Sequence, residues 1–188
     1  MPVLQGNETT RSLPPPTLPR SFSLRRQDEE VVEQIEIRSR IGNLQPAPAL
    51  LTDDYLVAYC RRRGDYGSAD GRIVARIARR QQDVEPRNET DFPNPDAAVD
   101  FHRLKSGNLL LVYNDNLGDR TPLTVALSTD GDKTYPHRRD IATGDHDFAY
   151  PFVIQTRDGK IHIVYTRDAR SVIMHAIFDE SAILGHKK

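Results

Sequence analysis

The chain has 188 residues, with 26 Lys and Arg against 27 Asp and Glu and a formal net charge of −1. That balance offers no bulk attraction to nucleic acid or to an anionic membrane surface. No apolar run approaches the roughly 20 residues of a membrane-spanning helix, and no basic-then-apolar leader opens the chain. The expectation is a soluble protein with no nucleic-acid and no membrane partner and, as written, no export signal. The single cysteine, Cys60, excludes an internal disulfide framework and assigns no compartment.

Residues 1–20 are polar and contain Pro14-Pro15-Pro16 and Pro19. Proline in series joins neither a helix nor a sheet interior, so this stretch reads as a disordered or extended lead-in. From Ser21 to Ile37 the pattern suits two short strands around an Asp28-Glu29-Glu30 turn. A repeat follows. Leu50–Tyr59, Arg103–Tyr113 and Val153–Tyr165 each read as an apolar strand, a tight Asp- or Gly-bearing turn, and a second apolar strand ending in Tyr. The tyrosines stand at 59, 113 and 165, a spacing of 54 and then 52. A third strand follows each time: Ile73–Ala78, Leu123–Ser128 and Val172–Ile177. No long amphipathic helix interrupts them. Strand repeats of about 40–50 residues point to propeller blades. The fold class is therefore all-β: a partial six-bladed β-propeller of about three to three and a half antiparallel blades. The blades occupy 21–180 and a C-terminal tail 181–188. An open arc leaves unpaired edges, which invite self-association.

In the second copy the third strand runs into Ser128-Thr129-Asp130-Gly131-Asp132-Lys133-Thr134-Tyr135. This resembles the Asp-box turn of the sialidase (neuraminidase) superfamily, Ser-x-Asp-x-Gly-x-Thr-Trp. Asp132 stands at the glycine position and Tyr135 at the Trp position. Asp130 is expected to bond its own turn, and Tyr135 to pack into the blade. Gly42–Pro48, Phe92–Asp100 and Tyr150–Thr166 extend the resemblance to the later blades of bacterial BNR-repeat proteins.

The resemblance implies a carbohydrate partner bound at the axial mouth of the propeller, with no cofactor and no metal. It implies an arginine triad on the sugar carboxylate, a tyrosine nucleophile helped by a glutamate, and an aspartate acid/base. Tyrosine is a known departure from the two-carboxylate scheme of glycosidases. Arg61 matches one triad arginine and Arg120 the last. Guanidinium suits a carboxylate because it presents two parallel donors. Tyr150 falls at the nucleophile position and Gln45 at that of the helper glutamate, where an amide cannot take the phenol proton. The first triad arginine and the acid/base aspartate belong to earlier blades. Asp100 and Asn94 complete the candidate sugar contacts; the alternative is that each bonds its own turn. For Arg61 the alternative is a solvated loop with Arg62 and Arg63. For Arg120 it is a surface pair with Asp119 or Asp115, and for Tyr150 a packed aromatic. Asp145-His146-Asp147 reads as a loop rather than a metal site, and Tyr59, Tyr113 and Tyr165 as blade packing. The function expected is a sialidase-like glycoside hydrolase acting on an acidic or polar sugar. The alternative is a non-catalytic carbohydrate-binding or scaffold propeller fragment.

Overall fold

The computed structural model describes residues 22–23, 33–34, 43–52, 55–62, 72–79 and 85–185. The lead-in 1–20 and the last three residues lie outside them. The chain divides into two units, Met1–Glu36 and Ile37–Lys188. In the first unit β1 (Phe22–Ser23) pairs antiparallel with β2 (Glu33–Gln34).

The second unit holds three antiparallel meanders. Strands β3 (Asn43–Leu50), β4 (Tyr55–Arg62), β5 (Arg72–Arg79) and β6 (Glu85–Pro93) make the first. Strands β7 (Asp100–Arg103), β8 (Leu109–Asn114), β9 (Leu123–Ser128) and β10 (His137–Ala142) make the second, and β11 (Ala149–Gln155), β12 (Ile161–Arg167) and β13 (Val172–Phe178) the third. Among the described residues the only helix is the 3-10 turn Glu180–Ala182. It carries Ile183 into the core, so the expected tail begins as ordered, packed chain. The first strands of the blades are neighbours: β7 lies against β3 on one side and β11 on the other. This is the inner rim of a propeller arc. The fourth strands, β6 and β10, are additions to the expected three per blade. Their sequences, Glu85–Pro93 and His137–Ala142, are polar, and β10 is only partly buried.

Burial explains the strand sequences. Strand β8 is buried at every position. Leu109, Leu111 and Tyr113 enter a core shared with the first blade, while Leu110 and Val112 enter a core shared with the third. A strand covered on both faces reads as a continuous apolar run, and Leu109-Leu110-Leu111-Val112-Tyr113 is one. In the third blade burial alternates instead. Val153, Ile161, Ile163 and Tyr165 face the second blade. Phe152, Ile154, Val164, Ile173 and Ile177 stand exposed on the opposite face, Phe152 at 60% and Ile173 at 76%.

The repeating tyrosines are all buried, but they are not equivalent. Ala47 pairs with Tyr59 two residues past the break in β3, and Phe152 pairs with Val164 two residues past the break in β11. Tyr59 therefore corresponds to Val164, one position short of Tyr165. A shift of one residue turns a strand side chain to the other face. Tyr59 accordingly points forward to the second blade, whereas Tyr113 and Tyr165 point back to the preceding one.

The forward-pointing Tyr59 meets the Asp-box. Asp130 Oδ1 accepts from the Thr134 and Lys133 amides at 2.9 and 3.1 Å, and Oδ2 from the Thr134 hydroxyl at 2.6 Å. The Thr134 bonds above all hold the Asp130 carboxyl well below its ordinary range. Asp132, where the motif has glycine, adopts φ 74. That is the left-handed conformation glycine supplies without strain and Asp tolerates better than most residues. Its carboxylate is buried and Oδ1 accepts from the Tyr59 and Tyr135 hydroxyls, each at 2.6 Å. Burial pushes the Tyr135 phenol strongly up, so it stays a neutral donor. The substituted motif thus becomes a tie between two blades. Asp132→Gly relieves the backbone but removes the acceptor from two phenols. It is expected to lower stability by about 1–3 kcal/mol, the cost of an orphaned buried polar group, read as a lower urea midpoint at unchanged slope. An unchanged midpoint would mean that the two hydroxyls, 3.3 Å apart, pair with each other instead.

Candidate functional site

The head of each inner strand carries the same local distortion. Gln45, Asp96 and Tyr150 have φ of 46, 55 and 52. Non-glycine residues rarely enter this region, at a cost of roughly 1–2 kcal/mol each. In β3 the pairing breaks between Leu44 and Ala47, and in β11 between Ala149 and Phe152. Each break carries a proline, Pro46 or Pro151, which has no N–H to give the ladder. Asp96 precedes β7 in a turn set by Asn94, whose Nδ2 donates to the Ala97 carbonyl at 3.0 Å while its Oδ1 accepts from the Ala97 amide at 2.8 Å. Left-handed backbone thus recurs within β3 and β11 and in the turn before β7.

Two of the candidate arginines meet at this rim. Arg61, near the end of β4, donates from Nη1 to the Asp96 carbonyl at 3.1 Å, and its Nε lies 3.5 Å from Asp96 Oδ1. Arg120, in the loop between β8 and β9, donates from Nη2 to the same carbonyl at 3.4 Å. The loop is anchored through its own backbone: the Arg120 carbonyl accepts from Asn114 Nδ2 and from the Phe148 amide, both at 2.9 Å. Arg61 Nε, Arg120 Nε and Asp96 Oδ1 are buried and have no hydrogen-bond partner among the described residues. The two guanidinium groups thus converge on one acceptor, the Asp96 carbonyl.

The other candidates divide. Tyr150 sits on the rim, 40% exposed, with the Arg170 guanidinium 5.4 Å from its ring centroid. Gln45 is exposed beside the Leu44–Arg61 pair. Asp100 and Asn94 were expected to touch the sugar, and their polar atoms are instead engaged by the protein. Asp100 Oδ2 accepts from the Val153 amide at 2.6 Å and Oδ1 from the Phe101 amide at 3.0 Å, tying β7 to β11. Burial raises its carboxyl, and the two amides only partly offset this. Asn94 is buried, with both polar atoms on Ala97. Both side chains thus hold backbone groups at the heads of the inner strands. Asp145, His146 and Asp147 lie in a loop where His146 Nδ1 and Asp168 Oδ1 are 2.6 Å apart, and the described residues hold no group of three metal-ligating side chains. Nor does any helix among them have the length and apolarity to cross a membrane.

Sequence reading missed Asp96 and Arg170. Asp96 lies between Pro95 and Ala97 and reads as an ordinary turn residue. Arg170 closes a run of three left-handed residues, Asp168 to Arg170, that contains no glycine to announce it.

Neighbouring antiparallel blades, an Asp-box and a paired-arginine rim define a sialidase-like, BNR-repeat β-propeller. Residues 14–163 match the family described as BNR repeat-like domain, and the chain belongs to it. No curated protein matches it in sequence. Its fold is similar to that of the Hadza microbial sialidase Hz136, at TM-score 0.67 and 17% identity over 81% of this chain and 30% of that one. The NanB sialidase from Streptococcus pneumoniae aligns at 0.59 and 14% over 73% of this chain and 23% of its own. The intramolecular trans-sialidase from Ruminococcus gnavus aligns at 0.61 and 14% over 83% and 37%. The chain thus spans between about a quarter and two fifths of these proteins.

Asn94→Ala frees both partners on Ala97. It is expected to cost about 1–3 kcal/mol in denaturant unfolding. A change within 0.5 kcal/mol, the usual range for surface positions, would mean that the turn holds without its side chain.

Proposed function

We propose that this chain forms part of the mouth of a sialidase-type glycoside hydrolase that takes an acidic sugar. The observation that carries the reading is the convergence of Arg61 and Arg120 on one point of the rim, the Asp96 carbonyl. In this reading the two guanidinium groups hold the sugar carboxylate, Tyr150 is the nucleophile, and Gln45 lies beside the bound sugar. Asp100 and Asn94 hold the rim in shape. A phenol suits a substrate that already carries a negative charge, since a carboxylate nucleophile would repel it. The acid that protonates the leaving group and the first arginine of the triad come from blades outside residues 37–188. Arg120→Ala is expected to abolish both retention of a sialylated glycan and turnover of an aryl sialoside. Retention and turnover at the original level would overturn the assignment.

One observation favours a second reading, a propeller that binds sialylated glycans without cleaving them. Gln45 cannot accept the phenol proton, and general-base help is worth about 10²–10⁴ in rate. Under the hydrolase reading Gln45→Glu raises aryl sialoside turnover by about a hundredfold or more on that scale. Retention without turnover in both the parent and the Gln45→Glu protein, each assayed with the blades that supply the acid, would establish the binding reading.

Self-association belongs to the same proposal. The exposed face bearing Phe152, Ile154, Val164, Ile173 and Ile177 carries large apolar side chains that a second copy would cover. Light scattering is expected to show a mass that rises with concentration and returns to one chain in Ile173→Lys/Ile177→Lys. A parent chain that stays monomeric would end this part of the proposal.

A further inference from the structure

The third blade carries two histidines among the apolar side chains of its outer face. His162 stands on β12 and His175 on β13, diagonal to each other, since His162 pairs with Ile177 and Val164 with His175. Ile154 of β11 flanks His162 on its other side. The two lie toward the β11–β12 turn, at the far end of the strands from Tyr150. His162 Nδ1 and His175 Nε2 are 3.0 Å apart. The ring planes differ by 24° and the centroids are 5.2 Å apart, so the rings meet end to end with nitrogen facing nitrogen. The other nitrogen of His162, Nε2, lies 3.2 Å from Thr156 Oγ1. Thr156 has one hydroxyl proton, and Asp158 Oδ1 accepts it at 2.5 Å, with the Lys160 carbonyl a longer acceptor at 3.1 Å. The Thr156 bond above all holds the Asp158 carboxyl below its ordinary range, so it is a charged acceptor. Toward His162 the Thr156 oxygen can then only accept. That places the ring proton of His162 on Nε2 and, in the neutral ring, a lone pair on Nδ1.

From this arrangement we infer that His162 Nδ1 and His175 Nε2 form a two-point site for a divalent transition ion such as Zn²⁺, which clips β12 to β13. Imidazole nitrogen suits zinc, copper and nickel. Two bonds of about 2.0–2.1 Å at a tetrahedral angle set their nitrogens roughly 3.3–3.4 Å apart. The pair therefore opens by only a few tenths of an ångström and turns its lone pairs to one side, which exposed rings can do. The ion takes the place of the proton on His175 Nε2, and that proton moves to the outer nitrogen of the same ring. Neutral rings thus bind the ion without net proton release. A ligating histidine usually has its second N–H held by an acceptor that orients the ring and makes it a better donor. Thr156, backed by the charged Asp158, supplies that acceptor for His162. At the same turn, the Lys160 ammonium is engaged by Asp179 at 2.6 Å. With two donors from the chain, water fills the remaining positions on the ion.

The test is a titration of the full chain, free of any affinity tag, with zinc chloride in a non-chelating buffer. Calorimetry reads affinity and stoichiometry, and NMR reads the histidine ring protons. The ring signals of His162 and His175 are expected to shift together as one ion binds per chain, while those of His102, His137 and His146 stay in place. His162→Gln and His175→Gln are each expected to weaken binding about tenfold or more. Thr156→Val keeps the side-chain shape and removes the acceptor of the ring N–H. It is expected to weaken binding about tenfold, the lower end of what losing such an outer partner costs. Zinc that leaves both ring signals of the parent chain unmoved, or that binds both glutamine variants as tightly as the parent, would overturn the site. Undiminished binding by Thr156→Val, with binding lost in both glutamine variants, would overturn the orienting role of Thr156.

Discussion

Everything in the blade region depends on covering both faces of the middle blade. Strand β8 has no exposed position, and its alternate residues enter two different cores. Neither core is complete in one blade. The first needs Tyr59 and Ile73 from one sheet and Phe101 and Leu111 from the next. The second needs Val112 and Leu127 on one side and Ile161 and Ile163 on the other. A blade alone would leave an apolar face in water, so blade stacking and blade folding are one event energetically. The Asp132–Tyr59–Tyr135 cluster adds a directional tie to this otherwise nondirectional burial.

Stacking also makes the rim. Since β3, β7 and β11 are neighbours, whatever opens those strands is brought to one place. The left-handed residues Gln45, Asp96 and Tyr150 stand there, each unfavourable alone. They persist because the packed strands beneath over-determine the backbone above them. Asp100, bonded across from β7 to β11, and Asn94, bonded within its turn, are the local means by which the rim keeps its shape. Their polarity serves geometry, although polar residues in these places look like ligands in the sequence alone.

The blade architecture was legible because double-sided burial leaves uninterrupted apolar strands and the turns carry Gly and Asp. The fourth strands were not, because edge strands such as His137–Ala142 are polar and carry little periodic signal. The tyrosine spacing suggested a single register, yet 54 and 52 already differ, and one residue of slippage separates Tyr59 from Tyr165. The meeting of Arg61 with Arg120 at the Asp96 carbonyl joins two residues that the sequence offered only separately, through the family resemblance. The contacts of Asp96 and Arg170 were not legible, because they sit in left-handed backbone conformations that no glycine marks.

The two halves of the proposed chemistry sit on different parts of the arc. Arg61 comes from the first blade, Arg120 and Asp96 from the second or its approach, and Tyr150 from the third. Under the proposed function, recognition of an anion would depend on the packing of the first two blades, and attack on the third and on whatever takes the phenol proton. An amide at position 45 offers no proton acceptor, while the guanidinium groups of Arg61 and Arg120 find their partner in Asp96 among the described residues. Under that proposal, turnover would be lost more readily than the ligand, because binding needs only charge in place and chemistry needs a proton path as well.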